Sequence, residues 1–512
     1  MKHLSILIAV ATVIGAVPAS SAAERPPAVP ASKDAFVAVH YAPWFTGHND
    51  YGWFQWVGKK RVRTAFTPLL GYYDNRTPAT LSKHVEWATA HGIDAFMIEW
   101  CGMAGGDFPA SMDQVVRLFP ENPDFRKIKF FFVYSFIAAL RKNGEPTFPV
   151  VDLDDPERVD KLVSDFTYAA KTYFNQPNHL RVDGRPVTYL WAIASSKGDF
   201  KAAVNRLRAA VKAVCGKDPY IIGEELFYGS TPDLARTPCL DAVMPYMMIK
   251  PSNPIRNYKI EATIDDIVNQ YRSARLVCAD LGVKFIPLAF AGFNPVGAPW
   301  CYDDEGKLAT PVVARSVSGF KRFVQKAKAA IDPDLRTFFV TSWSEWNEGT
   351  NIEPSREFNF DYLDVVKSEL ARFTPVPLPK DTLKFAFKRL WNPPGEDERL
   401  LAAAFDKIEI LDAADKVLLK VDIGTPAARA AMGIGFSGDE TGWAGSNNYC
   451  WAGDRYKFAT LHLDLPAGAA AVRFRVAQIP NQSVDLSLNG TVLGTFPVET
   501  PMAWTALKAD LD

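Results

Sequence analysis

The sequence predicts an α/β protein, a (β/α)8 barrel of the TIM type followed by a C-terminal antiparallel β-sandwich. Three observations predict it. Eight apolar runs of strand length, at 36–42, 92–99, 128–135, 187–191, 220–225, 241–247, 284–290 and 337–343, alternate with segments of helical length. Runs that are apolar at successive positions fit strands buried on both faces, as in a parallel sheet wrapped by helices. Past the proline-rich stretch Thr374–Pro379 the helical period is lost and short alternating runs replace it. An open doubly wound sheet is the alternative, because periodicity alone does not distinguish a closed ring from an open edge.

From the N-terminus, Lys2 supplies a positive start, Leu4–Val17 an apolar stretch, and Ser20–Ala23 the small residues a signal peptidase accepts. Met1–Ala23 therefore reads as a secretory signal and the expected location is periplasmic or secreted. The apolar run is shorter than the ~20 residues a membrane span needs, and no later run is long enough, so no membrane span is expected. A Pro/Ala-rich linker, Arg25–Ser32, leads into the barrel domain, expected over 34–373. Its helices are expected at Pro78–His91, Pro156–Tyr173, Phe200–Val214, Ile264–Leu281 and Val312–Ile331. The sandwich is expected over 380–512, with strands at Lys457–Leu465, Ala471–Ala477, Ser483–Leu488 and Val492–Phe496, the last two joined by an Asn489-Gly490 turn. Trp443, Tyr449 and Trp451 make it a candidate carbohydrate-binding domain, against the equal reading of a buttress for the barrel.

The formal net charge of -1, with acids and bases intermixed, provides no footprint for nucleic acid or an anionic membrane and favours a neutral partner. Six cysteines in an exported chain permit disulfides, but their spacing does not select a pairing, and most fit plain buried thiols. Without Cys-x-x-Cys or His-Glu-x-x-His, neither a metal nor a cofactor is expected. Gly433-Ile-Gly435-Phe-Ser-Gly438 fits a dinucleotide-binding string but lacks the strand before it and the helix after it.

Barrel sites sit at the C-terminal ends of the strands. There the sequence places Trp44, Trp53, Trp56, Trp100, Trp191, Trp300, Trp343 and Trp346, eight of the thirteen tryptophans. Aromatic rings stack on the C–H faces of sugars, so such a rim suits an oligo- or polysaccharide. The eighth run opens into Thr341-Ser-Trp-Ser-Glu-Trp-Asn-Glu-Gly-Thr-Asn-Ile-Glu-Pro354, where three carboxylates accompany two tryptophans. Glycosidic cleavage needs paired carboxylates of this kind, which makes Glu345 and Glu348 the candidate catalytic residues. The candidate substrate-binding residues are Tyr41, Trp44, Glu99, Trp100, Tyr246, Trp343, Trp346, Asn347 and Glu353. His40 is expected near the rim in a hydrogen-bonded or substrate-contacting role. Glu224 and Glu225 are further acids there, either part of the site or structural pairs.

These residues resemble glycoside hydrolase family 99 and its WbsX-type relatives. The resemblance rests on Ser342–Thr350 with Ile352-Glu-Pro354, on His40-Tyr-Ala-Pro-Trp44, Pro68-Leu-Leu-Gly-Tyr-Tyr73, Gly92-Ile-Asp-Ala-Phe96 and Val182-Asp-Gly-Arg-Pro-Val187. It implies a retaining endo-α-mannosidase in which Glu345 deprotonates the substrate's own 2-hydroxyl, giving an anhydro-sugar, while Glu348 serves as general acid and then base. Two positions depart from the pattern. Asn347 stands where the family usually has His, and the third strand, Phe130–Tyr134, ends without an acid. A non-catalytic glycan-binding protein and a glycan-assembly protein of WbsX type are the alternatives.

Overall fold

In the computed structural model, residues 35–511 are described apart from 48–51, 104–110, 228–229, 231, 250–256, 394–398, 454–455 and 498. The signal-like segment and the first linker lie outside them. Eight parallel strands form the first domain: β1 Phe36–Tyr41, β2 Ala95–Trp100, β3 Lys129–Ser135, β4 Arg185–Trp191, β5 Tyr220–Gly223, β6 Ala242–Val243, β7 in two pieces, Lys284–Phe285 and Leu288–Phe290, and β8 Thr337–Thr341. Each pairs with the next, and β1 pairs with β8 at Val39–Val340, so the ring closes. The break in β7 falls at Ile286-Pro287. Proline has no N–H for the ladder, yet Ile286 N–H still reaches Val243 O at 2.9 Å and Pro287 O still accepts from Phe339 at 3.0 Å. The sheet is therefore a closed barrel rather than an open one.

Helices follow the strands: α1 Pro78–Ala90, α2 Ser111–Leu118, α3 Phe136–Leu140, α4 Pro156–Ala169, α5 Phe200–Cys215, α6 Ile264–Asp280, α7 Val317–Ala327 and α8 Asp361–Leu370. The starts of α4, α5 and α7 carry side-chain caps that take up otherwise unpaired N–H groups. Asp199 accepts from Ala202 N–H at 2.8 Å ahead of α5, and Ser316 accepts from Gly319 N–H at 2.9 Å ahead of α7. The faces they turn inward are apolar, as with Ala203, Val204, Leu207 and Val211 of α5.

Among its described residues the second domain holds ten antiparallel strands in two sheets. One contains β9 Asp381–Phe387, β14 Phe458–Leu463, β16 Ser483–Leu488 and β17 Thr491–Pro497. The other contains β10 Ala403–Leu411, β11 Val417–Asp422, β12 Phe436–Trp443, β13 Ser446–Ala452, β15 Ala471–Gln478 and β18 Trp504–Asp510. Their inner faces meet through Phe385, whose ring lies 4.9 Å from Phe405 and 5.5 Å from Phe474. Asn489 and Gly490 both have positive φ, as a tight hairpin turn between β16 and β17 requires.

The domains are locked along α6. Ser273 donates to Met432 O at 2.9 Å, Arg275 to Val376 O at 2.7 Å, and Asp280 holds Thr460 at 2.8 Å and His462 at 3.1 Å. All six cysteines are free thiols. Among the described residues no helix is long and apolar enough to cross a membrane.

Candidate active site

A cavity of about 330 Å³ opens at the C-terminal end of the barrel. Glu345 and Glu348 reach it from the loop after β8, Glu99 from β2, Glu224 from the end of β5 and Tyr246 from beyond β6, while Trp44, Trp191 and Trp300 supply aromatic wall. No Lys or Arg is among its described lining residues.

The loop carrying the two candidate catalytic acids is held by its own small polar side chains. Ser342 Oγ accepts the Glu345 N–H at 2.9 Å and meets Thr350 Oγ1 at 2.8 Å, while Thr350 N–H donates to Glu345 O at 3.2 Å. Glu345 is 3% exposed as a residue, and its Oε1 accepts from Asn347 N–H at 3.0 Å and, more weakly, from Glu348 N–H at 3.4 Å. Glu348 receives the indole N–H of Trp300 on Oε1 at 3.1 Å, and its Oε2 has no protein partner. Burial, then the charge of Glu348, raises the Glu345 carboxyl well above the usual range. Burial raises Glu348 to about 6, with the Trp300 hydrogen bond acting in the opposite direction. Burial and their mutual charge couple the two carboxyls, which favours a proton shared between them. One group can then act as acid while the other is a base; burial favours the proton on Glu345, so an acid role for Glu348 requires that proton to pass to Glu348 when substrate binds.

A hydrogen-bonded trio lines the cavity beside the pair. His40 contacts Glu99 through Nε2 at 3.0 Å and the Tyr246 hydroxyl through Nδ1 at 3.2 Å. Its ring therefore has a fixed orientation, and the edge of Tyr246 meets Trp191 at 5.7 Å. Glu224 accepts the Ala192 N–H at 2.8 Å, and burial raises its carboxyl to about 8. Glu225, the next residue, points elsewhere and forms a bidentate pair with Arg236 at 2.7 and 3.1 Å.

Several sequence candidates lie outside the cavity. Trp100 is fully buried, stacked on Phe132 and donating to Asp113 at 3.1 Å, behind the barrel wall. Tyr41 bonds His84 at 3.0 Å in the layer between barrel and α1. Glu353 joins the same layer, accepting from Tyr73 at 2.7 Å and Trp346 at 3.1 Å and meeting His84 at 3.2 Å. Trp343 packs on His84 and Phe96, and Trp346 on Trp53. The expected sugar platforms at Trp100, Trp343 and Trp346, and the substrate contacts at Tyr41 and Glu353, are replaced by interior packing. Asn347 is fully buried outside the cavity lining, with both side-chain polar atoms unpartnered. Trp56 is 63% exposed, away from the cleft. Trp191, Trp300 and Glu224 belong in the candidate set. Strand-end position signals the first and last, whereas the Trp300 contact depends on a loop fold that no periodicity encodes.

Residues 155–366 match the family model described as Glycosyltransferase WbsX. No curated protein matches the chain. Among solved structures, one described as a glycoside hydrolase-like protein is 21% identical, with a TM-score of 0.52, covering 69% of this chain and 98% of that one. The GH99 endo-alpha-mannosidase from Bacteroides thetaiotaomicron is 17% identical, with a TM-score of 0.46, covering 66% of this chain and 96% of that one. The chain is thus similar to WbsX-type proteins through its centre, and its barrel is a fold that glycan-active enzymes use. This relationship is the one its strand-end motifs imply.

Proposed function

We propose that the chain is an exported retaining glycoside hydrolase that cleaves α-linked, mannose-like glycans in endo fashion. One observation carries the reading: Glu345 and Glu348, three residues apart on the loop after β8, face one tryptophan-walled cavity. Glu345 takes the proton of the substrate's 2-hydroxyl, whose oxygen attacks C1 as the bond to the leaving oxygen breaks. Glu348 gives that oxygen its proton. Water then attacks C1, Glu348 accepts the water's proton, and Glu345 returns its own to the 2-oxygen, so configuration is retained and the carboxyls are restored. The signal-like Met1–Ala23 supports a periplasmic or secreted location.

The name of the matching family model favours a second reading, glycan assembly. A nucleotide-sugar donor brings a diphosphate, and the lining of the cavity, with Glu99, Glu224, Glu345 and Glu348 and among the described residues no Lys or Arg, disfavours that anion. Digestion of a panel of defined glycans, read by mass spectrometry and by NMR of the first anomer released, tests the proposal. α-Mannosidic products of retained configuration support it. An untouched panel, or products of inverted configuration, would overturn it.

A further inference from the structure

A second crevice, of about 260 Å³, adjoins the cavity and has one wall in each domain. The partition between the two is the chain leaving β5. Successive residues there point to opposite sides, as extended backbone dictates: Glu224 into the first cavity and Glu225 into the second. Phe227, 39% exposed, lines both. It is held by Ser230, whose Oγ accepts the Phe227 N–H at 2.6 Å and donates to Phe227 O at 2.9 Å. The far wall is Gly433–Phe436 and Tyr456 of the sandwich. That wall is rigid, because Asp280 of α6 clamps Thr460 and His462 behind it. Gly435 has φ +86 and sits so close to β14 that a Cβ there would lie 2.1 Å from Phe458 O, so the close approach depends on glycine.

We propose that this crevice is a distal glycan subsite, which takes an extension of the neutral chain held in the main cavity; the proposal rests on the glycosidase reading above. Chemistry and size both point to it. Phe227 and Tyr456 provide ring faces for sugar C–H groups, while Ser230, Asp233 and the Glu225–Arg236 pair provide fixed partners for hydroxyls. Among the described lining residues one guanidinium stands against two carboxylates, which leaves no surplus of positive charge there for a phosphorylated or acidic glycan. The crevice falls below the roughly 300–1,000 Å³ of pockets that hold a ligand by themselves. It therefore suits a unit tethered to something bound next door, for which the second contact adds affinity at high effective concentration.

The test compares an α-mannan disaccharide with an α-mannan hexasaccharide on the full chain, using Tyr456→Ala to remove one ring and Leu234→Trp to fill the space. Thermal melts confirm that both variants fold. A wild-type preference for the hexasaccharide of about ten-fold or more in kcat/KM, diminished at least several-fold in both variants relative to the disaccharide, supports the subsite. If the folded variants lose activity on both lengths equally, or the wild type shows no length preference, the crevice is not a subsite. If the wild type cleaves neither substrate, the mannosidase reading itself fails and the subsite falls with it.

Discussion

The indole N–H of Trp300 points at Oε1 of Glu348 from 3.1 Å, so a residue of the loop after β7 sets the acidity of one after β8. A hydrogen bond to a carboxylate favours its charged form, whereas burial favours the neutral one, and at Glu348 burial dominates, leaving the group at about 6.

Trp300→Phe keeps the ring and removes the donor. With Glu348, the proposed general acid, harder to ionise, the alkaline limb of the pH–kcat profile is expected to move to higher pH. Wild-type and variant profiles recorded under identical buffers check this. A limb that stays put, or moves down, would show that Glu348 does not set it.

Glu224 makes a second pH prediction, this time in stability. Its folded carboxyl is raised to about 8, whereas an unfolded Glu titrates near 4.3. The folded state then holds the proton more tightly, so its contribution is fully present below the unfolded value and is lost as pH rises toward about 8. Glu224→Gln removes that loss. The melting temperature of the variant relative to wild type is expected to climb from pH 5 to pH 8 and level off above it, and a constant difference across the range would contradict the buried-acid description.

Trp100 and Trp191 both end barrel strands, yet opposite outcomes are expected from their removal. Trp100→Ala opens a void among Phe132, Tyr134 and Tyr173 and removes one of the hydrogen bonds to Asp113, at a cost of about 3–5 kcal/mol of stability. Trp191→Ala is expected to spare most of the stability and weaken glycan binding by about 1–3 kcal/mol, the scale of a lost aromatic contact. Denaturant melts and glycan titrations on both variants separate the two effects.

The same pair shows how far the sequence is legible. The barrel can be read because strands buried on both faces are continuous apolar runs, such as those holding Val39 and Val340, and the hairpin because Asn489-Gly490 suits positive φ. The facing of a strand-end side chain cannot be read so directly. Side chains alternate, so an uncertainty of one residue in where β2 ends turns Trp100 from cavity wall to interior, and it is Glu99 that faces the cleft. Glu353 was equally hidden. After Glu348 the chain folds back along the β8 end, with Ile352 N–H on Ser342 O and Glu353 N–H on Trp343 O, and this return carries Glu353 behind the barrel.

Glu353→Ala leaves Tyr73, His84 and Trp346 without their common acceptor in a fully buried layer. A loss of about 3 kcal/mol is expected, since stranded buried polar groups cost more than the lost bonds alone. A urea melt measures it, and a change below about 0.5 kcal/mol would mean that the network contributes little.

The central claim is the division of labour between Glu345 and Glu348. The most direct measurement is turnover of an aryl α-mannooligosaccharide and of a natural α-mannan by Glu345→Gln and Glu348→Gln, since the amides keep side-chain size but cannot exchange the proton. Both variants are expected to lose several orders of magnitude of kcat on mannan. On the aryl substrate, whose leaving group needs little protonation, Glu348→Gln recovers much of its rate and Glu345→Gln does not. Near-normal turnover of mannan by Glu345→Gln, or recovery by Glu345→Gln instead of Glu348→Gln, would contradict the assignment.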